Sequence, residues 1–311
     1  MPKKFITYLL LFFVPVVLGY VVIEYLTLHL PSGYAKNSEF LNENSNDIKV
    51  LVLGSSQMKD AVNAELLKPL TINLASGDQH HNTDFKLLKG LLPQLSNLKA
   101  VVLEVSYSHF ELPHNSKDFW KNPVYLKYYG VNCFERNTYF KDQLIYLSLP
   151  PFYSEKIYDH YIDRHDPAGF NAFGFDTLNY SGRFKDLLYN EAEIAKTRFK
   201  INVAPNPKIF KTNTTLFFEL LDYIAEQDLQ VIICTAPMYK DYLPKRNSEI
   251  LKRRDSVLSL VSQRYSNVLL LLKEEDLQNF TVKDYWNQSH LNPDGASKFT
   301  QMLQQRLDRI N

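Results

Sequence analysis

Residues 48–57, Ile48-Lys49-Val50-Leu51-Val52-Leu53-Gly54-Ser55-Ser56-Gln57, decide how this chain is read. The apolar run 48–53 has the length and composition of a buried strand. The glycine and two serines that follow place hydroxyl groups where a strand turns sharply into the next element. Near the other end stands Asn287-Gln288-Ser289-His290-Leu291-Asn292, just before the last helical pattern. A serine after the first strand and a histidine entering the last helix can meet as nucleophile and base if both lie at one edge of a parallel sheet.

The intervening sequence supplies that sheet. Short apolar runs at 71–74, 100–105, 229–234 and 268–272 add four candidate strands to the first. Helical periodicity lies between them: Leu88, Leu91, Leu92 and Leu95 before the third, Phe217, Leu220, Leu221 and Ile224 before the fourth, Leu251, Val257, Leu258 and Val261 before the fifth. Nearly all-apolar strands alternating with helices indicate a parallel sheet covered on both faces, an α/β three-layer sandwich. Asn292 as N-cap and Pro293 at the first helical position open the last helix, whose apolar face is Phe299, Met302, Leu303 and Leu307. In such sheets ligands bind beyond the carboxyl ends of the strands, where Ser55, Ser56 and His290 fall.

The N-terminus indicates where the protein works. After Met1-Pro2-Lys3-Lys4 comes an uncharged apolar stretch from 5 to 23, about 19 residues, enough to cross a bilayer core. The positive-inside bias then puts residues 1–4 in the cytoplasm, a transmembrane helix at 5–28 and the body of the chain outside. The stretch exceeds a signal-peptide apolar region and lacks an Ala-x-Ala site, which favours an uncleaved anchor. Residues 29–47, polar and asparagine-rich, read as a linker to a domain spanning 48–311. Within that domain, 107–200 breaks the alternation and is crowded with rings, among them Trp120, Tyr125, Tyr128, Phe134, Tyr139, Phe140, Tyr153 and Phe175. This insertion can roof the crevice; its rings read first as a satellite core and second as a sugar-binding surface.

Composition excludes several functions. With 35 basic and 34 acidic side chains the formal net charge is +1, so no global field attracts nucleic acid. The two cysteines, Cys133 and Cys234, show no zinc or disulfide spacing and read as free thiols. Asp78, His80 and His81 follow no known ligand spacing and read as a polar loop. His109 and His114 are crevice candidates by position alone. No metal or organic cofactor is called for.

Gly54-Ser55-Ser56, Asn73-Leu74-Ala75-Ser76-Gly77 and His290-Leu291-Asn292-Pro293-Asp294-Gly295-Ala296, in that order, resemble the SGNH (GDSL-like) hydrolase and acyltransferase superfamily. They are most similar to its membrane-anchored cell-surface branch, which includes alginate acetylation and teichoic acid D-alanylation proteins. The resemblance implies a five-stranded sheet in flavodoxin-like order, Ser56 as nucleophile, His290 as base, and an oxyanion hole from the N–H groups of Ser56 and Gly77. It also implies O-acyl transfer or O-acetyl hydrolysis on a cell-surface polysaccharide, with an acyl carrier and envelope assembly proteins as partners. Two positions depart from the pattern. Asn287 stands where the family has Asp three residues before the histidine, leaving Asp284 as a substitute orienter. After the third strand, Val105-Ser106-Tyr107-Ser108-His109 replaces Gly-x-Asn-Asp, leaving Ser108 as the remaining donor. The competing functions are a catalytically impaired domain that binds glycan or a partner, and a phosphate-binding domain in which His290 is dispensable.

Overall fold

The computed structural model describes residues 2–133, 143–164, 169–180 and 182–310. Phe134, Tyr139 and Phe140, named above in the insertion, lie outside the described residues. Five strands, β1 (Val50–Val52), β2 (Thr71–Asn73), β3 (Ala100–Glu104), β4 (Gln230–Thr235) and β5 (Val268–Leu272), form one sheet in the order β2-β1-β3-β4-β5. Every pairing is parallel. This is the flavodoxin-like order, with its switch between β1 and β3. A two-stranded antiparallel hairpin, β6 (Tyr285–Asn287) and β7 (His290–Leu291), stands apart from it.

The helices, in chain order, are α1 (Pro2–Leu28), α2 (Gly33–Asn44), α3 (Ser56–Ala61), α4 (His81–Leu91), α5 (Asn122–Tyr129), α6 (Pro150–Ile157), α7 (Pro207–Glu226), α8 (Ser248–Arg264) and α9 (Pro293–Leu307), with shorter turns between some of them. Because side chains alternate across a strand, the sheet divides its residues between two cores. Leu51, Val101, Leu103, Val231 and Ile233 face one way, packing with Leu87 and Leu88 of α4 and with Phe217 and Leu221 of α7. Val50, Val52, Val102, Ile232 and Cys234 face the other way, toward Met58 of α3 and Phe299 and Leu303 of α9. These two cores make the three layers. Cys133 and Cys234 are free, buried thiols.

Residues 29–47, expected to be a linker, contain α2 instead. Ser32 caps it, its hydroxyl accepting from the Ala35 N–H at 3.2 Å. Phe40 and Leu41 enter the sheet's first core. The Asn37 amide donates to the Asn73 carbonyl at 2.9 Å, satisfying a backbone oxygen at the end of edge strand β2. The polar composition of this segment hid a narrow buried face of three residues, one of them an asparagine.

Part of the aromatic-rich segment 107–200 is buried as core. Tyr125 and Tyr129 of α5 join the sheet's first core, while Val124, Ile145 and Tyr153 close a third cluster around Leu30. Helix α1 is apolar between Lys4 and Glu24, with no buried residues over its membrane-length window. Its C-terminal end is built into the rest of the chain. The Glu24 carboxylate accepts the Ile145 and Tyr146 N–H groups at 2.8 and 2.9 Å, and the Tyr161 hydroxyl donates to the Leu26 carbonyl at 3.1 Å.

If α2 is an integral element, Leu41→Ala in the full chain lowers unfolding stability by about 2–5 kcal/mol, the usual cost of truncating a buried leucine. Chemical denaturation in detergent reads this directly; a flexible linker would give no measurable change.

Candidate active site

The first strand ends in a turn that only glycine fits. Gly54 has φ +139°, and a Cβ there would lie 2.8 Å from the Glu104 Cβ and 2.9 Å from its Oε2. Glu104, at the end of β3, is fully buried. It grips Ser55 twice: the Ser55 N–H donates to Oε2 at 2.7 Å and the Ser55 hydroxyl donates to Oε1 at 3.0 Å. Burial pushes the Glu104 carboxyl up from its ordinary range, and the Ser55 bonds pull the other way. The Ser55 oxygen also accepts the Gln57 N–H as the N-cap of α3. Ser55 is thereby committed to structure, and the next residue carries the free hydroxyl.

That residue is Ser56, the first of α3. Its Oγ lies 2.8 Å from His290 Nε2, across 234 residues of sequence. The hairpin explains why His290 is presented this way. Asn287 and His290 are register partners across β6 and β7, so the amide and the ring lie side by side. His290 Nδ1 is 3.1 Å from Asn287 Oδ1 and 3.1 Å from Ser289 Oγ. Asn287 Oδ1 also accepts the Ser289 N–H at 2.8 Å, which turns the amide oxygen toward the ring. The imidazole then carries its proton on Nδ1 and leaves Nε2 as a lone pair for the Ser56 proton. Asn287 therefore selects the productive tautomer, although it adds no charge. In the serine-protease template, replacing the carboxylate by an amide costs about 10⁴-fold, chiefly by selecting the wrong tautomer.

Desolvation lowers the His290 pKa below the ordinary 6.5, opposed by the Asp60 carboxylate on α3. The ring is accordingly neutral, and able to act as a base, at neutral pH. The last helix is capped by Asn292, as its sequence predicts, the side chain accepting the Asp294 and Gly295 N–H groups at 3.0 and 3.1 Å, so His290 is not needed as its cap.

Gly77 closes the site from the β2 side. The Ser76 N–H donates to the Gly54 carbonyl at 3.0 Å, tying the two strand-end loops together. A Cβ on Gly77 would lie 3.9 Å from the Ser56 Cβ. Among the described residues, neither the Ser56 nor the Gly77 N–H is engaged by a protein acceptor. Two unengaged donors beside a serine–histidine pair can receive the negative charge of a tetrahedral intermediate.

Two expected residues are placed elsewhere. Asp284 does not orient His290. Its carboxylate accepts the Thr281 N–H and hydroxyl at 2.7 and 3.0 Å and pairs with Lys298 at 2.8 Å, capping the turn before β6. Ser108 starts the turn 109–111, its carbonyl accepting the Glu111 N–H, and among the described residues no bond joins it to the Ser56 loop. The chain after β3 stays beside the buried acid, with His109 Nδ1 3.9 Å from Glu104 Oε1, while Phe110 packs on Phe217 of α7. His81 and His109 stack on each other at 4.1 Å, and the His81 ring bonds the Glu104 carbonyl at 2.8 Å. Burial pushes the His81 pKa down to about 3.

Three site residues escaped sequence reasoning. Glu104 left a trace, as the one charged residue within the apolar run 100–105. Lys121 left none. It is almost fully buried, donates to the Gly77 carbonyl and to Ser76 Oγ, and is pushed down to about 8 by desolvation. Tyr34 of α2 shares a 2.5 Å bond with Ser76 Oγ.

No family model and no curated protein matches this chain. Solved structures similar to it include a candidate acylhydrolase from Bacteroides fragilis, 9% identical over 88% of this chain and 96% of that one, TM-score 0.42. A GDSL-like lipase from Bacteroides thetaiotaomicron is 8% identical, with 89% and 100% covered, at the same TM-score of 0.42. A candidate platelet activating factor from Streptococcus pneumonia is 10% identical, with 90% and 91% covered, TM-score 0.41. At these values the matches add no weight, and the functional reading rests on the geometry of the site.

Asn287→Asp supplies the missing charge with the same reach. We expect turnover of an activated ester to rise by about 10-fold or more, and the acidic limb of the pH profile, which in the parent lies below 6.5 because the His290 pKa is depressed, to move upward. Steady-state kinetics across pH check both shifts.

Proposed function

We propose that this chain is a membrane-anchored, serine-dependent acyl-transfer enzyme working outside the cytoplasm on a cell-surface polysaccharide. The observation that carries the chemistry is the 2.8 Å contact between Ser56 Oγ and His290 Nε2, beside two unengaged backbone N–H groups. His290 takes the Ser56 proton as Oγ attacks an acyl carbonyl. The carbonyl oxygen takes up negative charge facing the Ser56 and Gly77 N–H groups, each such donor typically contributing about 3 kcal/mol to the transition state. His290 then protonates the leaving oxygen, and a water or sugar hydroxyl repeats the sequence in reverse to release the acyl group.

The order of the three sequence blocks, similar to the SGNH superfamily and its cell-surface branch, supports the substrate class. The anchor is supported by a 26-residue apolar helix at Lys3–Leu28. Its junction with the domain is packed, through Glu24, Thr27 and Leu30, in a way that cleavage would expose. The two N-terminal lysines favour an orientation with the domain outside. A second reading, a glycan- or partner-binding domain with impaired catalysis, draws on Asn287, whose amide oxygen is turned to support the histidine, and on the missing asparagine after the third strand, for which Ser108 makes no bond to the Ser56 loop among the described residues. The phosphate-binding reading leaves the Ser56–His290 contact without a purpose.

The test is the full chain in detergent with a small fluorophosphonate probe and with p-nitrophenyl acetate. We expect labelling at Ser56, and loss of both labelling and acetate release by at least about 10³-fold in Ser56→Ala and His290→Ala. A folded parent chain that neither labels nor turns over would overturn the enzyme reading.

A further inference from the structure

A cavity of about 460 Å³ opens beside the site. Gly77 and Lys121 line one end and Thr27 and Leu30, at the exit of α1, line the other. Its volume is that of an ordinary small-molecule site. Rings from α2, α5, α6 and the segments before α5 and after α6 contribute to its wall, among them Trp120, Tyr128, Phe152 and Tyr153.

Most of the wall's polar groups are bonded within the protein: Lys59 pairs with Asp60 and Lys156 with Asp159, and the Asp176 carboxylate accepts the Gly169 and Leu178 N–H groups, while Asn37 Oδ1 is buried without a partner among the described residues. Asn73 spends its amide nitrogen on the Met58 and Val62 carbonyls and its oxygen on the Ala75 N–H. Tyr34 is bound to Ser76, Asn37 donates to Asn73, and Ser32 caps α2. A sugar needs partners for many hydroxyls, whereas an aliphatic chain needs none. At the inner end, Lys121 is an ammonium taken out of water whose bonds go to two neutral oxygens, Ser76 Oγ and the Gly77 carbonyl. Among the described residues no ion pair joins it to a carboxylate, and the Asp78 carboxylate acts on it only through space, against its desolvation. Such a cation favours an anion beside it.

The outer end is equally informative. α6 and the turn 158–162 run beside the last turn of α1, held there by the Tyr161 bond to Leu26, and they expose Phe152, Tyr158 and Ile162. Exposed rings and an isoleucine next to the end of a membrane-length helix suit the bilayer interface.

We propose that this cavity is a binding site for the acyl chain of an anionic membrane phospholipid, the chain lying among the rings and the headgroup phosphate at Lys121. In a phospholipid the ester carbonyls stand a few bonds from the phosphate. A headgroup at Lys121 brings one of them to Ser56 and Gly77. The lipid is then the acyl donor: the Ser56 Oγ–acyl bond forms, the ester C–O bond breaks, and the Ser56 proton passes through His290 to the departing glycerol oxygen. Only this last step rests on the acyl-transfer function proposed above; binding needs no reaction at Ser56.

The test uses the full chain carrying Ser56→Ala in nanodiscs, with phosphatidylglycerol or phosphatidylcholine bearing a photoreactive diazirine near the acyl terminus. After irradiation, adducts are mapped by mass spectrometry. We expect adducts on Trp120, Tyr128, Phe152 or Tyr153, at least fivefold more abundant with phosphatidylglycerol. Leu30→Trp, which narrows the outer end, should reduce them at least fivefold while adducts on residues 5–23 persist. Unlabelled lysophosphatidylglycerol should displace them without any change to the cavity, which keeps the test decisive if Leu30→Trp fails to fold. Adducts confined to residues 5–23, or equal yields from the two lipids, would overturn the proposal. Fluorophosphonate labelling of the unsubstituted chain is read in parallel. Labelling without cavity adducts overturns the lipid site alone, and cavity adducts without labelling overturn the acyl-transfer reading alone.

Discussion

The grip of the Glu104 carboxylate on Ser55 holds the site together. A buried carboxylate is costly unless its oxygens are bonded, and here the Ser55 N–H and hydroxyl supply that bonding at 2.7 and 3.0 Å. The contact fixes the end of β1 against the end of β3, and its closeness excludes any side chain at position 54. It also occupies Ser55, so that the first turn of α3 presents Ser56 alone. The placement of Ser56, the proposed nucleophile, follows from an acid two strands away in sequence order and adjacent in the sheet.

His290, the proposed base, is placed by a separate device. The β6–β7 hairpin, outside the main sheet, makes His290 and Asn287 cross-strand neighbours. The hairpin is itself anchored: the Tyr239 N–H donates to the Gln288 carbonyl at 3.0 Å, and the Gln288 amide donates to Thr197 at 2.6 Å. Loops following β4 and closing the insertion therefore hold the histidine's turn. Asn287 does by orientation part of what a carboxylate does by charge, its oxygen pinned by the Ser289 N–H so that the ring proton stays on Nδ1.

Much of this was legible in the sequence because it depends on local patterns. All five strands stand where their apolar runs predict. Gly54, Ser56 and Gly77 converge because strand ends in a parallel sheet share an edge, and the hairpin after β5 brings His290 to them. What was illegible depends on contacts distant in sequence. Residues 29–47 look polar because only one side of α2 is buried, and part of that side is Asn37, whose value lies in a carbonyl on β2. Asp284 looked available from its spacing, yet it closes a capping box with Thr281 before the hairpin begins. Lys121 sits on no motif; α5 and its approach loop carry it to Gly77. Ser108 looked available as a donor, yet it opens the turn 109–111 and makes no bond to the Ser56 loop among the described residues.

The account turns on His290 being a neutral base whose free nitrogen faces Ser56. Nitrogen-15 NMR of the histidine-labelled chain, assigned through His290→Gln, measures tautomer and titration together. The account predicts a proton on Nδ1, an unprotonated Nε2, and a midpoint below the ordinary histidine value of 6.5. A proton resident on Nε2, or a midpoint above that value, would contradict it.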